Sequence, residues 1–169
     1  QSLIDLTSAQ QNLGVVEDDV QKAGLQQLAT FTHSTETLKT LLPAMNDLNV
    51  QQNGVNTTME SATQIGNLFG KVLDGNTGAL RKMGVSFTEE QEKILKFGNE
   101  SERAAILAQV ITDNVGHMNE AFAQTDAGKI KQAENIIGDV KEQLGAQLLP
   151  VFAKTMEVYA QFLEGIPIF

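Results

Sequence analysis

From Asp126 to Leu163 the chain reads DAGKIKQAENIIGDVKEQLGAQLLPVFAKTMEVYAQFL, and this stretch decides the fold class. Ile130, Ala133, Ile137, Val140, Leu144 and Leu148 recur every three or four residues, which lines one face of an α-helix in an a/d-like stripe. Beyond Pro150 the stripe resumes with Phe152, Met156, Tyr159 and Leu163. Thr125 or Asp126 supplies an N-cap oxygen at its start. The pattern predicts one helix from Ala127 to about Leu163, kinked at Pro150, where the ring removes a hydrogen bond and crowds the preceding turn. Unbroken, it would be ~55 Å long. Few sequential neighbours remain to cover its distal part. Leu148, Phe152, Met156, Tyr159 and Leu163, with Phe162 beside them, are therefore the candidate interface, for a second copy or for another partner; the pattern fits equally a stripe that earlier helices fold back to bury within one chain.

Upstream the same periodicity recurs in shorter pieces, and strand-like alternation is scarce. Ser2 to Leu13 reads as a helix stopped by Gly14. The next begins near Glu17, with Glu17, Asp18 and Asp19 at the positive end of its dipole and Val20, Ala23, Leu28 and Phe31 along one face. Ser34 caps a third that carries Leu38, Leu41, Leu42, Met45 and Leu48, with a bend expected at Pro43. A loop over Asn49 to Val55, with the turn signal Asn53-Gly54, precedes a fourth helix bearing Met59, Ala62, Ile65, Phe69 and Val72. Asn76 is expected to cap a short helix over Thr77 to Met83, and Gly84 to Phe87 looks extended, with room for at most a stray two-stranded pairing. Thr88 with Gln91 and Asn99 with Glu102 are capping-box pairs. They start helices through Phe97 and from Glu100 to Gln124, the latter carrying Leu107, Val110, Ile111, Asn114, Met118 and Phe122. The fold class is thus all-α: residues 1–125 form a segment of about six helices, and 126–169 the long C-terminal helix and tail, together one structural unit.

Composition fits that class. Aromatic residues are only 5%, without Trp, so the core must come from Leu, Ile, Val, Ala, Met and Phe, a palette that suits helix packing. Met45, Met59, Met83, Met118 and Met156 all fall on apolar faces, where flexible thioethers are expected to fill gaps. A net charge of −9 repels phosphates, so no direct nucleic-acid binding is expected. The absence of cysteine excludes disulfides and thiolate metal sites. No apolar run approaches the ~20 residues that span a bilayer. A first residue other than Met and the apolar end Ile166-Pro167-Ile168-Phe169 lead to the expectation of a piece of a longer protein.

Tests for chemistry fail on ligand positions, and neither enzyme activity nor a cofactor is expected. Gly66 to Val72 resembles a phosphate-binding loop, but it is one residue short and has Val72 where a magnesium-ligating hydroxyl belongs. Asp74 to Ala79 starts like a calcium loop, yet Gly78, Ala79 and Val85 stand at positions that need an oxygen ligand, Gly and Glu. His33 and His117 are the only histidines; His117 with Glu120 lacks the further ligands that zinc requires. Asn56-Thr57-Thr58 and Asn99-Glu100-Ser101 fit the glycosylation pattern but read better as helix starts.

One run of short motifs carries a resemblance. Leu41-Leu42-Pro43-Ala44-Met45-Asn46-Asp47-Leu48 is followed by a helix ending Gly70-Lys71-Val72-Leu73-Asp74-Gly75. Then come Leu80-Arg81-Lys82-Met83-Gly84-Val85-Ser86-Phe87-Thr88-Glu89-Glu90-Gln91, Gly128-Lys129-Ile130-Lys131-Gln132 and Gly145-Ala146-Gln147-Leu148-Leu149-Pro150. In this order the motifs resemble the tape measure proteins of long-tailed bacteriophages and prophages. The resemblance implies a helical protein in the tail-tube lumen, or in the host bacterial cytoplasm during assembly. Such a protein sets tail length and leaves ahead of the DNA. Implied partners are the tail tube protein, the tail assembly chaperone and distal tail proteins, with a homo-oligomer possible. The kinks at Pro43 and Pro150 and the breaks at Gly75, Gly84 and Gly98 argue for a compact portion that folds back on itself, not a simple measuring rod. The same amphipathic helices also fit a helical protein-binding module of a secreted bacterial effector or adhesin.

Overall fold

In the computed structural model, which describes residues 1–164, every regular element is a helix. The order is α1 (Leu3–Leu13), α2 (Asp18–Leu28), α3 (Thr35–Asn53), α4 (Met59–Leu73), α5 (Gly78–Lys82), α6 (Glu89–Phe97), α7 (Glu100–Val115), α8 (Met118–Ala123) and α9 (Asp126–Glu164). No strand occurs among the described residues. The chain divides into two units, Gln1–Gln132 and Ala133–Phe169. The described part of the second is a single helical stretch belonging to α9.

Helix starts follow the capping chemistry. Ser2 accepts from the Asp5 N–H, Ser34 from that of Thr37, and Thr125 from that of Gly128. Full capping boxes form at Thr58/Ser61, Thr88/Gln91 and Asn99/Glu102, each satisfying two otherwise orphaned donors. Three expectations are corrected. α3 continues through Asn49 to Asn53 and stops only at Gly54, whose φ of 58° suits glycine. Thr77, not Asn76, is the residue before α5, and it makes no side-chain cap. The helix expected from Glu100 to Gln124 is two helices, parted at Gly116 with φ 64°. α3 remains helical on both sides of Pro43.

Within the first unit α3 is the central helix: Leu41 through Val50 is buried except at Pro43. Its Leu42 and, around it, Leu28, Phe69, Leu80, Leu95, Leu107 and Ile111 form the main core. Val15, Val16, Val20, Val50, Ala62 and Ala123 form a separate, smaller cluster, with Val55, Met118 and Phe122 against it. Met45 is buried, whereas Met59, Met83 and Met156 are exposed, so the expectation that all five methionines fill gaps fails for these three. α2 and α4 make the most extensive helix pair, and the reason is steric. A methyl group on Gly66 would sit 2.4 Å from the Gly24 carbonyl oxygen, and one on Gly70 would sit 2.0 Å from the Phe31 ring. Gly66 lets the two backbones touch, and Gly70, one turn on, makes room for the Phe31 ring just beyond the end of α2.

Polar side chains stitch the connections. Arg103 donates to three carbonyls, from Nη1 to Leu73 (2.7 Å), from Nη2 to Lys96 (2.6 Å) and from Nε to Gly98 (2.8 Å). One guanidinium thereby caps the C-terminal ends of α4 and α6, where unsatisfied carbonyls and the helix dipole favour a cation. The Gly84–Phe87 piece, expected to be extended, begins in a turn at Gly84 (φ 79°) and forms no strand. Instead Asn114 pairs with Ser86 as a backbone would, its Nδ2 donating to the Ser86 carbonyl (2.7 Å) and its Oδ1 accepting from the Ser86 N–H (2.9 Å).

Candidate functional site

The candidate interface lies on the second unit's helix. Leu148, Met156 and Tyr159 are 58%, 50% and 56% exposed. The side chains of Phe152 and Leu163, and all of residues 165–169, lie outside the described residues. Val151 and Val158 are as exposed and extend a further pattern: Ile130, Ile137, Leu144, Val151 and Val158 recur at intervals of seven, and all five face solvent. A seven-residue recurrence of branched apolar residues is the signature of one seam position in a coiled coil. The second seam position holds Ala133 and Val140 but then Gln147 and Lys154, so the regular seam ends near Leu144 and the apolar face shifts to Leu148. At about 100° per residue, Val151, Val158 and Phe162 lie on the same face as Leu144, while Met156 stands ~120° away.

The first unit holds two buried polar junctions that amphipathic reading places at the surface. Gln21 is 1% exposed. Its Nε2 donates to the carbonyls of Thr7 (3.0 Å) and Val16 (2.9 Å), and its Oε1 accepts from Asn46 Nδ2 (3.2 Å), joining α1, α2 and α3. Asp47 is 5% exposed and stands before the N-terminus of α8, where its Oδ1 accepts from the Asn119 N–H at 2.9 Å. Asn119 Oδ1 in turn accepts from the Val15 N–H at 2.8 Å. Burial pushes the Asp47 carboxyl up to about 6 from 3.8, against the lowering effects of the Asn119 hydrogen bond and of His117, whose Nδ1 lies 4.0 Å from Oδ2. The sequence signal for both junctions is a run of short polar residues, Asn46, Asp47 and Asn49, in a helix interior that gives them no propensity advantage.

Motifs weighed for chemistry take structural positions. Gly66 and Gly70 lie inside α4, so their N–H groups sit in a helix and do not form an open anion cradle. Asp74 is the residue after α4, and Gly75 turns the chain with φ 95°. His33 is exposed, as is the His117 side chain. Glu17, Asp18 and Asp19 bring carboxylate oxygens within 4.8 Å of one another, and Lys22 pairs with two of them, at 3.3 Å and 3.6 Å. A groove of about 380 Å³ opens between the starts of α3 and α7, lined by Ser34, Thr37, Asn99 and Glu100, and Thr32 donates to the Glu100 carboxylate beside it. No helix among the described residues is long and apolar enough to cross a membrane. Compared with family models, curated proteins and solved structures, the chain matches none of them.

Proposed function

We propose that this chain is a structural segment of a phage tail tape measure protein, lying in the tail-tube lumen, helping to set tail length and released ahead of DNA at infection. The observation that carries the reading is the 39-residue α9, whose solvent-facing apolar residues run almost from end to end. A helix advances about 1.5 Å for each residue, so such an element converts chain length into distance. Its face has the periodicity of helix-to-helix assembly, which supports packing in a bundle of copies or against the tail assembly chaperone before the tube closes. A bend at Pro150 belongs to this reading as the point where the helix adapts to its neighbours. The motif order from Leu41 to Pro150 that resembles tape measure proteins supports it from the sequence side.

The exposed residues of α9 also favour a second reading, a helical protein-binding module of a secreted effector or adhesin. Purified tails from a phage carrying this chain separate the two. The tail reading expects its peptides by mass spectrometry in intact tails, shielded from added protease, and their loss once DNA has been ejected. Peptides absent from tails, or cleaved freely in intact particles, would overturn it.

A further inference from the structure

α8 is attached to its unit differently from every other helix there. It is six residues long, too short to be stable by itself, so docking must hold it. The docking surface is the small Val15–Val16–Val50 cluster and not the main core. Two buried hydrogen bonds pin it, Asn119 N–H to Asp47 and Val15 N–H to Asn119. Against them, the Asn119 Nδ2 is buried without a partner, which favours release. On one side Gly116 takes φ 64° with open space around it. On the other, Thr125 donates to the Phe122 carbonyl at 2.7 Å and accepts from the Gly128 N–H at 3.0 Å, tying α8 to the first turn of α9. Gln132 completes the attachment, donating to the carbonyls of Gly14 (3.2 Å) and Asn12.

We propose that residues 117–132 form a latch, which detaches from α3 and the turn at Gly14–Val16 as one piece, pivoting at Gly116, while the main core of the first unit stays folded. The inference does not rest on the tail-tube reading. Asp47 gives the latch a pH bias. The titratable groups acting on it are His117 and Glu120, both within the latch; α1, α2, α4 and α7 bring none to bear. Docked, its carboxyl sits at about 6; released into water, it returns toward 3.8. The docked form therefore holds the proton more tightly. Docking is strongest below the lower value and weakens as pH rises through the upper one.

Amide hydrogen exchange on the full chain, followed by NMR, tests this. The amides of Asn119 to Ala123 should exchange by an opening that leaves those of Leu107, Val110 and Ile111 protected. That opening should become about tenfold more frequent between about pH 5 and 7, after correction for intrinsic exchange. Asp47→Asn should abolish the pH dependence and His117→Gln should keep it. Phe122→Ala, which removes an apolar anchor without touching Asp47, should raise α8 opening by about tenfold or more and leave the core amides unchanged. If α8 amides exchange only together with the core amides, in the wild type or in Phe122→Ala, there is no latch. If Asp47→Asn folds and retains the pH slope, Asp47 does not bias it.

Discussion

Replacing Gly66 and Gly70 together by alanine is expected to destabilise the first unit by about 3 kcal/mol, the net of overpacking at both sites and a smaller gain in helix propensity. The contact at Gly66 is with the Gly24 carbonyl, which is backbone and cannot swing aside, and the contact at Gly70 is with the flank of the Phe31 ring. Relief at Gly66 requires α2 and α4 to move apart, and relief at Gly70 requires the Phe31 ring to be displaced, which together open the core at Leu28, Ile65 and Phe69. Gly138→Ala and Gly145→Ala are the controls. Neither position has a neighbour within 4 Å or a positive φ, so each should leave stability level or raise it by up to about 1 kcal/mol. Urea unfolding followed by circular dichroism reads all three. A Gly66/Gly70 double variant as stable as the parent would show that the two helices do not touch through glycine.

Gln21→Leu should cost a comparable amount, about 3 kcal/mol, although it swaps a polar core residue for an apolar one of similar size. The Val16 carbonyl would lose a donor and the Asn46 amide one of its two acceptors, keeping only Gln10 Oε1, and under-satisfied buried groups cost more than the bond itself is worth. Adding Asn46→Leu should recover part of the loss, because removing both partners leaves fewer orphans. Urea midpoints of the two single variants and the double close the cycle. A Gln21→Leu protein at least as stable as the parent would mean that the junction is replaceable packing.

Helix identity was legible wherever punctuation was chemical. Ser34, Thr88 with Gln91, and Asn99 with Glu102 announced their helices because the capping bond is local and needs only residues three apart. What was hidden depends on distant chain. Gly116 falls inside a run, Leu107 to Phe122, whose apolar spacing continues across it, so only the positive φ reveals the break. The same holds for Asp47 and Gln21, polar residues whose partners, Asn119 and Asn46, lie 72 and 25 positions away. Arg103 reads as one charge among many until three carbonyls converge on it. At the candidate interface the alternating three- and four-residue spacing was visible, while the seven-residue recurrence through Val151 and Val158 emerges once all five positions are seen to face solvent.

The central claim is that helix length in this chain becomes distance in a tail. The most direct test of this proposal is electron microscopy of tails from a phage made to carry this chain in its tape measure protein, after in-frame deletion or duplication of 22 residues, Ala133 to Lys154, within α9. Twenty-two residues are close to six turns, so the apolar face stays in phase. Deletion should shorten the tail by ~33 Å and duplication should lengthen it by the same ~33 Å. Tails of unchanged length in both variants would contradict the account.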